Sequence, residues 1–350
     1  MSRDNFSKKL LMDLQQYIPK NIGFFPTQFN LLNASLQSGI VNPGIALIYG
    51  CEGTGKSTLS LQIAKKFLDK GDYAIYIDTE HALSYNRVHQ VGLRLAQEDT
   101  TEGEKKILLV CPDTLEDTEA VLLNILDNSI KEKKTGLVIW DSLKQTPSKL
   151  SFQSSISDTN VAVEARMLSK LFEKLPDILS KSRVTLIILN QLTTDIQVDR
   201  FSHSTKGMIS ASGYTLPRGL AQKFAAAQAL FLSKGRKWER GDRCGTFIRI
   251  LPEKNKCGSP LQLCELVLDF ESGLFSDLYS CVEFLNQRKL LSTSGGIWKI
   301  QGEKSGHRFV DFIKIIKKNP GPIEDLLRAA LEEEYGYSGE VKLGEATAPK

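Results

Sequence analysis

A run of glycines stands between an apolar strand pattern and an amphipathic helix pattern near residue 50. The stretch reads IYGCEGTGKSTLSLQIAKKF from Ile48 to Phe67, and the apolar run Ile45–Tyr49 leads into its first glycine. Glycine adopts backbone conformations that other residues avoid and leaves room for another group to approach closely. Successive backbone N–H groups in such a loop can point into one concavity that favours an anion. The sequence therefore predicts a strand, a phosphate-binding loop and a helix, in that order.

The spacing Gly-x-x-x-x-Gly-Lys-Ser makes this prediction specific, because it is the phosphate-loop motif in the context that the motif requires. Lys56 can reach the β- and γ-phosphates of a nucleotide, and the Ser57 hydroxyl can ligate Mg²⁺. Cys51 and Glu52 fill the shape of the loop. The alternative is a glycine-rich turn that binds nothing. We predict a nucleotide site formed by Gly50, Cys51, Glu52, Gly53, Thr54, Gly55, Lys56, Ser57 and Thr58.

Short apolar runs alternate with helical patterns over the first half of the chain. The predicted strands are Tyr73–Ile77, Ile107–Val110, Leu137–Trp140 and Val184–Leu189, and the predicted helices are Ser57–Asp69, Leu115–Lys131 and Asp158–Ser180. This alternation favours a parallel sheet that is covered by helices on both faces. Three later runs have turns between them and no helix, so we expect antiparallel strands that extend the same sheet, at Gln228–Ser233, Thr246–Leu251 and Gln262–Leu268.

Changes in pattern divide the chain into four predicted segments. These are an N-terminal helical or oligomerisation segment (1–35), an α/β core (36–274), a small α+β C-terminal domain (275–331) and a polar tail (332–350). The C-terminal domain is predicted from a helix, a hairpin that turns at Gly295-Gly296, and a second helix, at Leu278–Lys289, Leu291–Ile300 and Arg308–Lys318. The polar composition after Glu332 predicts disorder.

Composition limits the cofactors and the location of the protein. The six cysteines include no pair with C-x-x-C spacing, which argues against a zinc site and favours reduced thiols in a cytoplasmic protein. No apolar run reaches the ~18 residues of a membrane span, and the N-terminus lacks the apolar region of a signal peptide. The net charge of +4 is mild, so any nucleic-acid contact must come from a local basic patch.

Two carboxylates follow predicted strands, at the sheet edge where open α/β folds bind their ligands. Asp141 ends the strand in LVIWDSL and can hold Mg²⁺ in a Walker-B role, or it can simply cap the next turn. Glu80 follows the strand in YAIYIDTEHAL and can orient a water and accept its proton. From the residues alone the Glu80 role competes with simple helix capping.

These motifs, in this order, resemble the RecA family of DNA recombinases, of the RecA/UvsX type, over most of the chain. The likeness rests on the glycine-rich loop, AIYIDTEHAL, LVIWDSL, ISDTNVAVEARMLSKLFEKL, LIILNQL, ILPEKNKCGSPLQ and LNQRKLLSTSGGIWKIQGEKSG. The resemblance implies a RecA-like P-loop ATPase core that uses ATP and Mg²⁺, with Ser57 and Asp141 at the metal and Glu80 as the catalytic carboxylate. It implies helical filaments with ATP at subunit interfaces.

The resemblance also implies roles for an amide and two lysines. Gln191 would sense the γ-phosphate at the root of a long polar loop, so that ATP biases the loop; a glutamine bonded only to backbone is the alternative. Lys254 and Lys256 would reach the ATP of a neighbouring subunit, in the manner of an arginine finger. From the sequence EKNK alone, a solvated hairpin turn is the simpler interpretation.

The DNA contacts implied by the resemblance lie in two loops. Val161 and Arg166 belong to the first loop and its helix, and the second loop, Leu192–Pro217, with the residue after it offers Ile196, Arg200, Lys206 and Arg218. Single-stranded DNA is the expected ligand, because cationic and apolar groups together suit phosphates and bases. The basic C-terminal domain implies duplex DNA capture, or alternatively a solvated charged face. The segment Phe6–Ile18 would dock on a neighbouring subunit or lie on its own.

Three functions are compatible with these residues. The first is a DNA-dependent ATPase that forms filaments on single-stranded DNA and promotes homologous pairing and strand exchange. The second is a ring-forming DNA helicase with the same ATPase core, and the third is an accessory protein that binds ATP but barely hydrolyses it. The short segment before the glycine loop disfavours a helicase, and Glu80 with both lysines disfavours an accessory protein.

Overall fold

A computed structural model describes residues 23–98, 103–153, 161–194, 214–303 and 305–343 of the 350-residue chain. Its described helices are α1 (Asn30–Ser35), α2 (Lys56–Asp69), α3 (Tyr85–Gln90), α4 (Leu115–Glu132), α5 (Lys149–Gln153), α6 (Val161–Lys181), α7 (Ala221–Ala225), α8 (Asp277–Gln287), α9 (Phe309–Lys318) and α10 (Gly321–Tyr335). A short 3₁₀ turn covers Leu143–Gln145. Within this part of the chain, no helix is long and apolar enough to cross a membrane.

The strands of the main sheet are β3 (Gly44–Gly50), β4 (Tyr73–Asp78), β5 (Arg94–Leu95), β6 (Lys106–Val110), β7 (Thr135–Asp141), β8 (Arg183–Gln191), β11 (Gln228–Arg240), β12 (Arg243–Asn255), β13 (Cys264–Asp269) and β14 (Leu274–Ser276). Three smaller sheets contain β1 (Gly23–Phe25), β2 (Ile40–Asn42), β9 (Thr193–Thr194), β10 (Tyr214–Thr215), β15 (Leu291–Ser294), β16 (Ile297–Ile300) and β17 (His307–Arg308).

The main sheet has ten strands in the order β14-β13-β12-β11-β3-β8-β7-β4-β6-β5. Strands from β11 to β5 pair in parallel, and β11 to β14 pair antiparallel along the other side. The predicted fold class, a mostly parallel α/β sheet extended by antiparallel strands, is confirmed. Because parallel strands have their C-terminal ends at the same edge of a sheet, the last residues of β3, β4, β7 and β8 lie together at that edge.

Alternating side chains on the central strands supply two separate cores. Ile48 and Leu189 belong to one buried cluster with α2, whereas Leu47 and Ile188 belong to the cluster on the opposite face with α4 and α6. Near-continuous apolar runs are the pattern of strands that are covered on both faces. The sheet is therefore a fixed platform, and its C-terminal edge is the part that is free to bind a ligand.

The antiparallel hairpin is longer than predicted. The pattern predicted strands ending at Ser233 and beginning at Thr246, but β11 continues to Arg240 and β12 begins at Arg243. Most residues of the β11 extension are charged, and Trp238 is buried while its neighbours Lys237 and Glu239 are exposed. Antiparallel strands can have one face in water, so a strand does not need a continuous apolar run. The polar sequence between Ser233 and Thr246 therefore did not exclude a hairpin.

The predicted disorder from residue 332 onward is wrong for residues 332–343. Helix α10 continues to Tyr335, and Gly336 ends it in the left-handed conformation with φ 65°. Tyr335 and Tyr337 are buried, and so is Val341. A few aromatic and aliphatic anchors are enough to bury a segment whose average composition is polar. The proposed division into four domains stays a prediction.

Candidate functional site

The glycine loop joins β3 to α2 at the C-terminal edge of the sheet. Gly53 and Gly55 have φ angles of 69° and 78°, in the left-handed region that glycine occupies without strain. A Cβ at Gly50 would lie 2.1 Å from the Leu232 carbonyl oxygen, and one at Gly55 would lie 2.8 Å from the Phe275 ring. These glycines are therefore required by the backbone and by its neighbours.

Lys56, the first residue of α2, folds back over the glycine loop. Its Nζ donates hydrogen bonds to the carbonyl oxygens of Gly50 at 3.1 Å and Cys51 at 2.9 Å. Burial lowers the pKa of Lys56, and the nearby carboxylates of Asp141, Glu80 and Glu52 oppose that shift. A partly desolvated ammonium at a helix N-terminus is a strong anion ligand, because little water must be removed before a phosphate binds.

The predicted metal ligands are in contact. The Ser57 hydroxyl donates to Asp141 Oδ2 at 2.6 Å, and the Tyr76 hydroxyl donates to the same oxygen. Burial raises the pKa of Asp141, while these two hydrogen bonds act in the opposite direction. Mg²⁺ prefers oxygen ligands and usually keeps several waters beside one or two protein groups and substrate phosphates. A hydroxyl and a carboxylate at this distance fit that requirement.

Glu80 lies exposed at the end of the adjacent strand β4. Ser142, which follows Asp141, donates its hydroxyl hydrogen bond to the Glu80 carboxylate. The buried Asp78 has a different task, since its carboxylate accepts from the backbone N–H groups of Glu80 at 3.2 Å and Leu83 at 2.9 Å. The fold thus brings Lys56, Asp141 and Glu80 to one edge, with Glu80 free to reach a water.

Gln191 ends β8 directly beside the glycine loop. It pairs in parallel register with Gly50, and the backbone N–H of Leu192 donates to the Gly50 carbonyl at 3.2 Å. The neighbouring Asn190 faces the other way, where its Nδ2 donates to Pro217 O and to Gln222 Oε1. The two amides therefore lie between the glycine loop and the described segment that contains Pro217 and Gln222.

Of the two predicted trans lysines, Lys254 lies on β12 and Lys256 directly follows the end of that strand at Asn255. Lys254 Nζ donates to the carbonyl oxygens of Lys223 at 2.7 Å and Phe224 at 2.8 Å, at the end of α7. Burial, with the charges of Lys256 and Lys223, lowers the pKa of Lys254 to about 8. Lys256 is exposed. Their action on a neighbouring copy stays a prediction.

The predicted DNA-binding residues fall into three groups. Ile196, Arg200 and Lys206 lie outside the described residues, and only the backbone of Val161 is described, at the start of α6. Arg166 is exposed one turn later. Arg218 instead pairs with the buried Glu164 and donates from Nη2 to Thr146 O at 2.9 Å. The Arg218 contacts anchor the end of the second loop, and a DNA contact by Arg218 stays a prediction.

Tyr76 and Ser142 contact the predicted catalytic groups, and the sequence reasoning missed both. Tyr76 was hidden inside an apolar strand run, but it lies two positions before Asp78 on the same face. Ser142 directly follows Asp141, where a short hydroxyl side chain is suited to a neighbouring carboxylate.

Comparisons with known proteins agree with the motifs. A family model described as the RecA N-terminal domain matches residues 2–275. Protein RecA of Mycoplasma mycoides subsp. mycoides SC is 29% identical over 325 residues, covering 92% of this chain and 87% of the relative. Protein RecA of Halalkalibacterium halodurans is 23% identical over 97% of this chain and 90% of its own. The mitochondrial DNA repair protein recA homolog 3 of Arabidopsis thaliana is 24% identical over 93% of this chain and 71% of its own.

Proposed function

This chain belongs to the RecA family, and from that premise we propose that it is a DNA-dependent ATPase that forms filaments on single-stranded DNA. In that state it promotes homologous pairing and strand exchange in recombination and repair, in the cytoplasm. The observation that carries the proposal is the contact of Ser57 with Asp141 at 2.6 Å, beside Lys56 and Glu80. A phosphate loop, a metal-binding pair and an exposed carboxylate at one sheet edge are the parts that ATP hydrolysis needs.

The chain's own residues divide the chemistry between them. The loop N–H groups and Lys56 bind the β- and γ-phosphates, and Ser57 with Asp141 holds the metal. Bound Mg²⁺ supplies charge neutralisation at the phosphate oxygens. Glu80 orients the attacking water and accepts its proton, and the Ser142 hydroxyl keeps that carboxylate in place. Lys254 and Lys256 of a neighbouring copy stabilise the charge that develops on the transferring phosphoryl group.

Assembly and DNA binding follow from the same residues. Because the lysines act on a neighbour's ATP, contacts between copies are heterologous and generate open filaments if they do not close into a ring. Gln191 lies at the root of the second loop, so a hydrogen bond to the γ-phosphate would bias that loop toward its DNA-binding arrangement. Arg166, on the first loop's helix, supplies a cation for the DNA backbone, and the C-terminal domain supplies a second, duplex-binding surface.

Electron microscopy tests the assembly directly. The protein would be imaged with single-stranded DNA, Mg²⁺ and a non-hydrolysable ATP analogue, and compared with samples that lack either DNA or nucleotide. We expect helical filaments only when both ligands are present. Closed rings would favour a helicase, and dispersed particles with bound nucleotide would favour an accessory ATP-binding role.

A further inference from the structure

Strand β12 contains a bulge at Glu253. Ala229 of β11 pairs with Lys254, but the next residue, Leu230, pairs with Pro252, so Glu253 is the extra residue. Successive residues of a regular strand point to opposite faces of the sheet. A bulge changes that alternation and re-aims the side chains beside it. Here both Glu253 and Lys254 contact the short helix α7.

The Glu253 carboxylate ties α7 to the strand that carries the glycine loop. Its Oε2 accepts hydrogen bonds from the Tyr49 hydroxyl at 2.5 Å and from Lys223 Nζ at 2.5 Å. Lys223 and Glu253 are largely sheltered, with side-chain exposures of 23% and 13%. Burial raises the pKa of Tyr49, and the Glu253 charge adds to that shift. Tyr49 is the residue before Gly50, so this cluster joins three elements around the nucleotide loop.

Lys254 binds the same helix, α7, that Glu253 contacts through Lys223. Its ammonium donates to two carbonyl oxygens at the end of α7, where the last carbonyls of a helix lack partners within the helix. The amine is partly buried near Lys223 and Lys256, and both charges lower its pKa. In this position the Lys254 ammonium has two hydrogen-bond acceptors, but the positive charges of Lys223 and Lys256 repel it. The Glu253 carboxylate neutralises the charge of Lys223.

We propose that Glu253 is a positioning residue that keeps Lys254 retracted on α7 until a neighbouring copy presents its triphosphate. We call Tyr49, Lys223, Glu253 and Lys254 the α7 latch. This inference rests on the proposed function, in which Lys254 acts in trans. Both carbonyls belong to the same chain as Lys254, so extension of the side chain toward a neighbour breaks both hydrogen bonds. The triphosphate shifts this equilibrium because it binds only the extended lysine.

Amine labelling of the free protein tests the latch without nucleotide or DNA. Dilute protein would be treated with a limiting amine-reactive ester, and mass spectrometry would give the ratio of Lys254 to Lys256 modification. Lys256 is an exposed internal standard two residues away. In Glu253→Gln the amide cannot neutralise the charge of Lys223. We therefore expect the ratio of Lys254 to Lys256 modification to rise about fivefold, which corresponds to a loss of about 1 kcal/mol in the equilibrium that keeps Lys254 on α7.

Two matched variants separate positioning from general damage. Tyr49→Phe removes the other hydrogen bond to Glu253 but keeps the ion pair, so its labelling ratio should stay near that of the wild type. Glu253→Asp keeps the charge and should restore most of the retraction. An unchanged ratio in folded Glu253→Gln overturns the latch. If that variant does not fold, amide hydrogen exchange of 221–226 is compared between the wild type and Lys254→Met, and equal exchange overturns it.

Filament assembly provides the functional readout. With single-stranded DNA and the ATP analogue, Glu253→Gln should assemble at a lower protein concentration than the wild type, because Lys254 is already released. A raised labelling ratio with an unchanged assembly threshold contradicts the proposal. A wild type that forms no filament removes the proposed function instead, and the labelling ratio still decides whether Glu253 holds Lys254.

Discussion

Tyr76 on β4 donates a hydrogen bond to the Asp141 carboxylate at the end of β7. The two strands are neighbours in parallel register, with Asp78 opposite Asp141. The oxygen that accepts from Tyr76 also accepts from Ser57 at 2.6 Å. Hydrogen bonds from Tyr76 on β4 and from Ser57 on α2 therefore orient the Asp141 carboxylate without a metal.

Tyr76→Phe is expected to weaken Mg²⁺ binding about tenfold, because loss of an outer-shell partner leaves a ligand carboxylate less well oriented. The measurement is the Mg²⁺ dependence of fluorescent ATP-analogue binding in the absence of DNA. Tyr73→Phe removes a hydroxyl from the other end of the same strand and serves as the control. An unaltered Mg²⁺ dependence in Tyr76→Phe would mean that the phenol does not support the metal ligand.

Glu80→Gln is expected to bind ATP and to lose hydrolysis by about 10²–10⁴-fold, because an amide cannot accept the proton of the attacking water. Lys56→Ala should instead lose ATP binding itself, since the proposed function has the Lys56 ammonium bind the phosphates. Single-turnover hydrolysis and equilibrium nucleotide binding separate the two defects. Lys66→Ala, near the other end of the same helix, is the control for Lys56. A normal rate in Glu80→Gln would assign the base to another residue.

ATP turnover should rise with single-stranded DNA and fall steeply with salt, because each neutralised phosphate releases counterions. A plot of log affinity against log salt should lose about 0.7 in slope for each single-strand phosphate contact removed. Arg166→Ala tests one such contact, and Lys170→Ala, exposed one turn later on α6, is its matched control. A response that does not change with salt contradicts a basic DNA track.

Stability should depend on pH through Asp277. This half-buried carboxylate accepts from the backbone N–H and side-chain Nδ2 of Asn30, at 2.8 and 2.6 Å, and burial raises its pKa to about 7. The folded state thus holds a proton that the unfolded chain releases above about pH 4. The contribution to stability is complete below that pH and is lost as pH rises through 7, with a slope of up to about 1.4 kcal/mol per pH unit.

Asp277→Asn should therefore flatten the free energy of unfolding between about pH 4 and pH 7, the interval between the pKa of an unfolded aspartate and the raised pKa of Asp277. Chemical denaturation at each pH gives the measurement. Asp311→Asn, an exposed change on α9, should leave the pH slope of the wild type intact. If Asp277→Asn retains the full slope, another group is responsible for it.

The sequence predicted the phosphate loop and the central sheet because both depend on local patterns. Gly50 to Ser57 lie together in the chain, and the apolar runs of β3, β4, β7 and β8 are dense enough to exclude a surface strand. Contacts between distant residues were not predictable in this way. Tyr76 lies 65 positions from Asp141, and its hydroxyl within an apolar run could have had any polar partner.

The C-terminal segment shows a second limit. Average polarity predicted disorder after Glu332, but Tyr335 donates its hydroxyl hydrogen bond to Leu263 O at 2.9 Å, and Asn30 contacts the backbone of Lys342. Those contacts depend on where α1 and β13 lie, which composition does not report. Glu253 is similar, since a bulge set by its partner strand decides which way it points.

The side-by-side ends of β3 and β8 restrict how this protein can vary. Gly50 faces Gln191 across the two strands, and side chains alternate along each strand. A single-residue insertion in β8 before Asn190 would move the side chains of Asn190 and Gln191 to the opposite faces of the sheet. Asn190 would then lose its contacts with Pro217 and Gln222. We therefore expect β8 to accept changes of two residues better than changes of one, because only an even number keeps Asn190 and Gln191 on their present faces.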